Sequence, residues 1–189
     1  MDSPKAITFR FNGQKAAQAA AYLLKLHGSR MNYMKLIKLL YLADRAMLVR
    51  QGHTITGDTM VSMKCGPVLS NVCNLIKRDP FTSIAPEWSD HITEPTPTYE
   101  VELKSESPID ELSEFEVGLL DKTYEQYGKM NEWQLVDHTH NHLPEWKDPG
   151  KSALPIQPED ILRAENVSDN KIEQIRTDAA ELLFFDSLT

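Results

Sequence analysis

Three groups of residues hold whatever chemistry this sequence could perform. The densest is His138-Thr139-His140-Asn141-His142, where three imidazoles beside Asp137 offer donor types that a transition metal takes. On a helix His138 and His142 share a face at i,i+4, while His140 points about 160° away from His142, toward the side of Trp133 and Val136. A metal-dependent hydrolase using His138, His140 or His142 would therefore need further ligands from elsewhere. The plainer reading is a packed, hydrogen-bonded His140 with two partly exposed neighbours. The second group is Cys65 and Cys73, which with His53 or His140 would be the parts of a thiolate–imidazole nucleophile. Their spacing matches no C-x-x-C zinc or redox pattern, so they read as buried, reduced thiols. The third is Lys35, Lys38 and Arg45, which fall within about 80° of one another on a helix. That basic strip would serve a DNA-binding autorepressor, or it would pair with acids of the same chain.

No G-x-S-x-G, G-x-G-x-x-G, Walker or H-E-x-x-H pattern is present, which removes the common nucleophile, nucleotide and zinc-hydrolase signatures. The expectation is a protein that is not an enzyme and needs no metal or cofactor. At 189 residues, 41% apolar and 25% charged, the chain can bury a core and reads as one domain over residues 1–189. Its net charge of −8 opposes a phosphate backbone, so nucleic acid is not the expected partner. That charge is uneven. Met1 to Arg50 holds nine Lys or Arg against two acids, whereas Glu87 to Asp121 holds eleven acids against Lys104 alone. Either the two segments face each other across the fold, or they form a charged docking surface for a partner. Residues 1–20 lack an apolar run behind their bases, and Ala19 to Leu24 is too short to span a bilayer, so a cytoplasmic protein is expected.

Periodicity supplies the elements that must position these groups. Residues 14–27 read as an alanine-rich helix with Ala16, Ala19, Ala20, Leu23, Leu24 and Leu26 on its apolar side. A second helix spans about 33–51 between the N-cap Asn32 and the stop Gly52. Its stripe of Tyr33, Leu36, Leu40, Ala43 and Met47 is widened by Ile37, Tyr41 and Leu48, which makes it central and largely buried. His53 to Lys64 suggests a hairpin turning at Gly57-Asp58, followed by a helix that opens at Pro67, runs to about Arg78 and is closed by Asp79-Pro80. Residues 81–110 read as loop enclosing a strand or two. Ser113 and Glu116 form a capping box for a helix over 114–127, and Asn131 caps another over 132–141. Further helices follow over 158–164 and about 169–185. The fold class is mainly α (α+β): a compact helical domain around the 33–51 helix, with a small hairpin or sheet.

In order, these pieces resemble one family. Met34-Lys35-Leu36-Ile37-Lys38-Leu39-Leu40-Tyr41-Leu42-Ala43-Asp44 is similar to the opening helix motif of Panacea-domain (SocA-like) antitoxins, and Gly66-Pro67-Val68 is similar to the turn that follows it. Thr139-His140 and Trp146 resemble the family's later Thr-His and Pro-Trp elements, extending the likeness over about residues 14–165. Two positions depart from the pattern: Cys65 stands where an aromatic often precedes Gly-Pro-Val, and Glu145 separates Pro144 from Trp146. The resemblance implies an antitoxin that neutralises a cognate protein toxin by direct contact, by masking it or by delivering it to a protease. It marks Lys35, Lys38, Tyr41, Asp44, Gly66, Pro67, His140 and Trp146 as motif residues, expected to build the core rather than touch a partner. The expected partner surface is Lys35, Lys38, Arg45, Glu100, Glu102 and Glu106.

Overall fold

The computed structural model describes residues 6–78 and 86–188. The chain forms α1 (Gly13–Leu26), β1 (Arg30–Asn32), α2 (Tyr33–Gln51), β2 (Met60–Met63), β3 (Gly66–Leu69), α3 (Ser70–Lys77) and α4 (Pro86–His91). It continues with β4 (Glu100–Glu102), α5 (Glu114–Tyr127), α6 (Glu132–His142), β5 (Leu154–Pro155), α7 (Pro158–Ala164) and α8 (Asp169–Asp186). The described residues are thus mainly helical, with two small antiparallel sheets ordered β1-β4 and β3-β2-β5.

Helix α2 is the axis of the fold. The Asn32 side chain accepts from the Met34 N–H at one end, and Gly52 closes the other in the left-handed region at φ 79°. Every residue from Lys35 to Asp44 is buried, and α1, α5, α6, α7 and β3 all pack around it. Helix α1 presents buried Ala16, Ala17, Ala19, Ala20 and Ala21, whose small side chains let a neighbouring backbone come close. Leu26, expected on that apolar side, is instead exposed at the last turn.

The hairpin lies further along the chain than the sequence suggests. Strands β2 and β3 pair from Met60↔Leu69 to Met63↔Gly66, so the turn is Lys64-Cys65 and not Gly57-Asp58. Asp58 is used differently: its carboxylate accepts the backbone N–H groups of Asn71 and Val72, both at 2.9 Å, and caps α3 from outside that helix. Gly57 lets the loop pass the N-terminal segment, because a Cβ there would sit 1.9 Å from the Arg10 carbonyl oxygen. Pro67 consequently lies within β3, opposite Ser62, and α3 opens at Ser70. Asp79 and Pro80, expected to end α3, lie outside the described residues.

The two charged segments meet. Lys15 Nζ pairs with Glu116 Oε1 at 2.7 Å, Gln18 donates to Asp110 at 2.7 Å, and the Tyr22 hydroxyl donates to Asp121 at 2.8 Å. Lys25 reaches Glu106 at 2.6 Å, and across the β1–β4 pair Arg30 reaches Glu100 and Glu102. Glu116 also closes the capping box of α5, accepting from the Ser113 N–H at 2.8 Å while Ser113 Oγ accepts from the Glu116 N–H. One carboxylate therefore starts α5 and ties it to α1. A Ser113→Ala variant should lose about 1 kcal/mol of stability in urea unfolding, the usual worth of such a cap. An unchanged midpoint would show that the box adds nothing to the α1–α5 contact.

Candidate functional site

The motif residues converge inside the protein. Lys38 is fully buried at 0% exposure, and its Nζ donates to the Pro67 carbonyl oxygen at 2.7 Å. Gly66, at φ 93°, makes that approach feasible: a Cβ there would lie 2.6 Å from Thr139 Oγ1 and 2.9 Å from Lys38 Nζ. Thr139 is buried on α6 and donates to the Val136 carbonyl at 3.0 Å. The next residue, His140, stacks on Trp146 with ring centroids 3.7 Å apart, and Trp146 Nε1 donates to the Met63 carbonyl at 3.0 Å. Lys38, Gly66-Pro67, Thr139-His140 and Trp146 thus join α2, the β2–β3 hairpin and α6 at one point.

Two further clusters hang from α2. The Tyr41 hydroxyl donates to Glu145 Oε1 at 2.9 Å, and Arg45 grips the same carboxylate at 2.7 Å while reaching Glu165 at 2.8 Å. Asp44, also at 0% exposure, accepts the N–H groups of Ile55 at 2.9 Å and Thr56 at 3.1 Å and the Thr56 hydroxyl. It fixes the loop that leads into β2. At the start of α2, Lys35 Nζ donates to the Gly128 carbonyl at 2.7 Å and approaches His27, whose Nδ1 meets the Tyr124 hydroxyl at 2.7 Å.

Burial sets the protonation of this interior. Desolvation lowers the Lys38 amine to about 7, with the Cys65 and Cys73 thiols pulling the other way. Among the described residues no carboxylate lies within salt-bridge distance of it. Desolvation pushes Asp44 up to about 7, against the hydrogen bonds from Thr56 and Ile55 that favour its charge. His140 is lowered, first by burial and then by Lys38, and its Nε2 is buried without a hydrogen-bond partner among the described residues.

These positions correct the expected basic strip. Lys35 and Lys38 face the interior, not solvent, because neighbouring elements cover α2 on all sides and backbone carbonyls take their ammonium groups. Arg45 is only partly exposed and is spent on Glu145 and Glu165. Of the expected partner surface, the acids Glu100, Glu102 and Glu106 reach solvent, each in an ion pair with Arg30 or Lys25. His138 and His142 stack at 4.6 Å on one side of α6, with His142 Nδ1 donating to the His138 carbonyl at 3.0 Å, while His140 faces Trp146. The three rings do not converge, and among the described residues no group of three or more His, Cys, Asp or Glu is placed to hold a metal ion. Cys73 is buried as expected, but Cys65 is exposed because it occupies the hairpin turn.

Sequence reasoning missed two organising acids. Glu145 was visible only as an interruption between Pro144 and Trp146, yet it is the buried acceptor for Tyr41 and Arg45. Asp58 looked like a turn residue and is a helix cap.

The stretch that contains nearly all of these clusters is also the stretch that matches a known family. Residues 36–147, more than half of the chain, match the model of the antitoxin SocA-like, Panacea domain family. The chain belongs to this family. The match starts within α2 and ends just past Trp146, so the Lys38, Tyr41 and Asp44 clusters lie in the matched stretch apart from Glu165. Comparison with curated proteins and with solved structures gave no significant match. Among the described residues no helix is long and apolar enough to cross a membrane.

The geometry at Gly66 makes a sharp prediction. Gly66→Ala should destabilise the protein by more than about 1 kcal/mol, since it combines a positive φ with a collision against Thr139 and Lys38. Thermal and urea unfolding would measure it. A neutral substitution would mean that the hairpin does not hold Lys38 as described.

Proposed function

We propose that this protein is an antitoxin that neutralises a cognate protein toxin by direct protein–protein binding, in the cytoplasm and without catalysis of its own. Membership of the SocA-like Panacea family carries the reading. Two features of the fold support it. The motif residues are occupied with one another, building a rigid frame that can present different outer surfaces. The basic residues that would have suited DNA are engaged inside the chain, which weighs against an autorepressor using Lys35, Lys38 and Arg45. A hydrolase centred on His138, His140 and His142 gains no support from rings that point to opposite sides of α6.

An inhibitor of this kind needs anchoring side chains on a complementary surface, and charge contrast to speed encounter. The whole chain supplies the contrast through its net charge of −8, which favours a basic toxin. Neutralisation proceeds by masking the toxin or by handing it to a protease, and these two differ in what becomes of the toxin.

Co-expression with the product of the neighbouring gene tests the proposal. Growth should be rescued, and the two proteins should co-purify. A steady toxin level during rescue identifies masking, and protease-dependent loss of the toxin identifies delivery. If no product of an adjacent gene is bound or neutralised, the antitoxin reading fails.

A further inference from the structure

Helix α8 lies beyond the stretch matched by the Panacea family, and it is amphipathic in an unusual way. Ile172, Ile175 and Ala179 are buried against the body of the protein, as one apolar stripe should be. The C-terminal end of α8 and the turn after it carry a second set of large apolar side chains that no described residue covers. Leu182, Phe184, Phe185 and Leu188 are between 58% and 67% exposed. Four of the most exposed large apolar residues among the described residues therefore fall within seven positions of one helix end. At about 100° per residue Phe184 projects away from the buried stripe and Phe185 lies about 110° from it, while Leu188 sits in the turn that follows α8. Single exposed apolar residues are ordinary, but a contiguous set with a polar margin marks a contact surface.

Two hollows border Phe184. Ala6, Thr8, Ala179, Ala180 and Leu183 line a cavity of ≈ 580 Å³ beside Phe184, and a shallower one of ≈ 630 Å³ runs outward past Phe184 and Phe185 between Glu173 and Glu181. Arg176 is the one base at either cavity among their lining residues, and it is already paired with Glu159 and Glu173. Asp178 and Glu181 lie exposed on the outward side of α8, and Arg10 pairs with Asp186 on the Leu182 side, so the margin beside Phe184 and Phe185 carries more acids than bases. That charge decides the occupant. Two copies of this chain meeting through α8 would bring acidic margins together, which opposes self-association. A partner presenting apolar side chains flanked by Lys or Arg meets both demands.

We infer that the outward face of α8, centred on Phe184, Phe185 and Leu188, is the surface on which this protein captures a cationic, amphipathic segment of its protein toxin. The inference rests on the antitoxin reading and gives it a contact site. It also divides the labour along the chain: the Panacea core holds the frame, and a helix outside the family match supplies the recognition. Anchoring aromatics at the centre with acids around them is the arrangement that carries affinity in such interfaces and steers a basic partner toward them.

The test uses the full chain and the purified product of its neighbouring gene, with affinity measured by calorimetry. The variants are Phe185→Lys/Leu188→Lys and the uncharged Phe185→Ala/Leu188→Ala, both at exposed positions, with circular dichroism checking that the fold survives. Lysine near a helix C-terminus also suits the helix dipole, so the first variant does not unravel α8 on electrostatic grounds. The inference predicts at least a tenfold rise in Kd for the lysine pair and a smaller rise for the alanine pair. It also predicts weaker wild-type binding as salt increases. Unchanged affinity in both variants overturns the α8 site while leaving the antitoxin reading intact. Absence of binding by the wild-type chain defeats that reading and the inference with it. A wild-type dimer that the lysine pair dissociates would make this face a homodimer contact and also overturn the inference.

Discussion

An amine buried with no carboxylate beside it among the described residues is the constraint around which the Panacea region is arranged. Lys38 sits at the centre of α2, is fully buried, and is satisfied by the Pro67 carbonyl oxygen. For that carbonyl to arrive, the chain must turn tightly at Lys64-Cys65, β3 must run flush against α2, and the residue before Pro67 must lack a side chain. Gly66 meets the last condition, and Thr139 closes on it from α6. Desolvating an ammonium group is costly unless its hydrogen-bonding geometry is good, so each of these elements is held to a narrow position by one side chain. The His140–Trp146 stack and the Trp146 hydrogen bond to Met63 complete the ring of contacts.

The same logic repeats along α2 with different chemistry. Asp44 receives the loop before β2, and Tyr41 and Arg45 receive Glu145. A polar interior of this kind specifies position more than it adds stability, because each buried group tolerates few alternative partners. The outer layer is held differently, through the ion pairs that join α1 and β1 to β4, α5 and the loop between them. Most of these are exposed, and such pairs contribute little individually. They join Lys15, Lys25 and Arg30 of the basic segment to Glu116, Glu106, Glu100 and Glu102 of the acidic one.

Much of the helical framework was legible because its signals are local. Asn32, Ser113, Asn131 and Ser168 cap helices that begin where those residues place them, and the unbroken apolar character of α2 marks it as central. The errors arose where a residue's role is set by something distant in sequence. Gly57-Asp58 has the composition of a hairpin turn, yet Arg10 and Asn71 determine what each does. Lys35 and Lys38 fall on the polar side of a helical wheel, and nothing local reveals that hairpin and helix carbonyls will cover that side. The motif was readable as a family signature, but its interior role became visible only from Gly66 and Thr139 meeting around one amine.

The state of that amine can be observed directly. Protein carrying ¹³C-labelled lysine would be followed by NMR through a pH titration, with Lys38→Met used to assign the Lys38 Cε resonance. If the motif encloses a buried, carboxylate-free lysine, Lys38 should titrate at about 7, far below an ordinary lysine at about 10.4. A Lys38 midpoint near 10 would contradict that arrangement, because it would place the amine in water or beside a carboxylate that no described residue puts there.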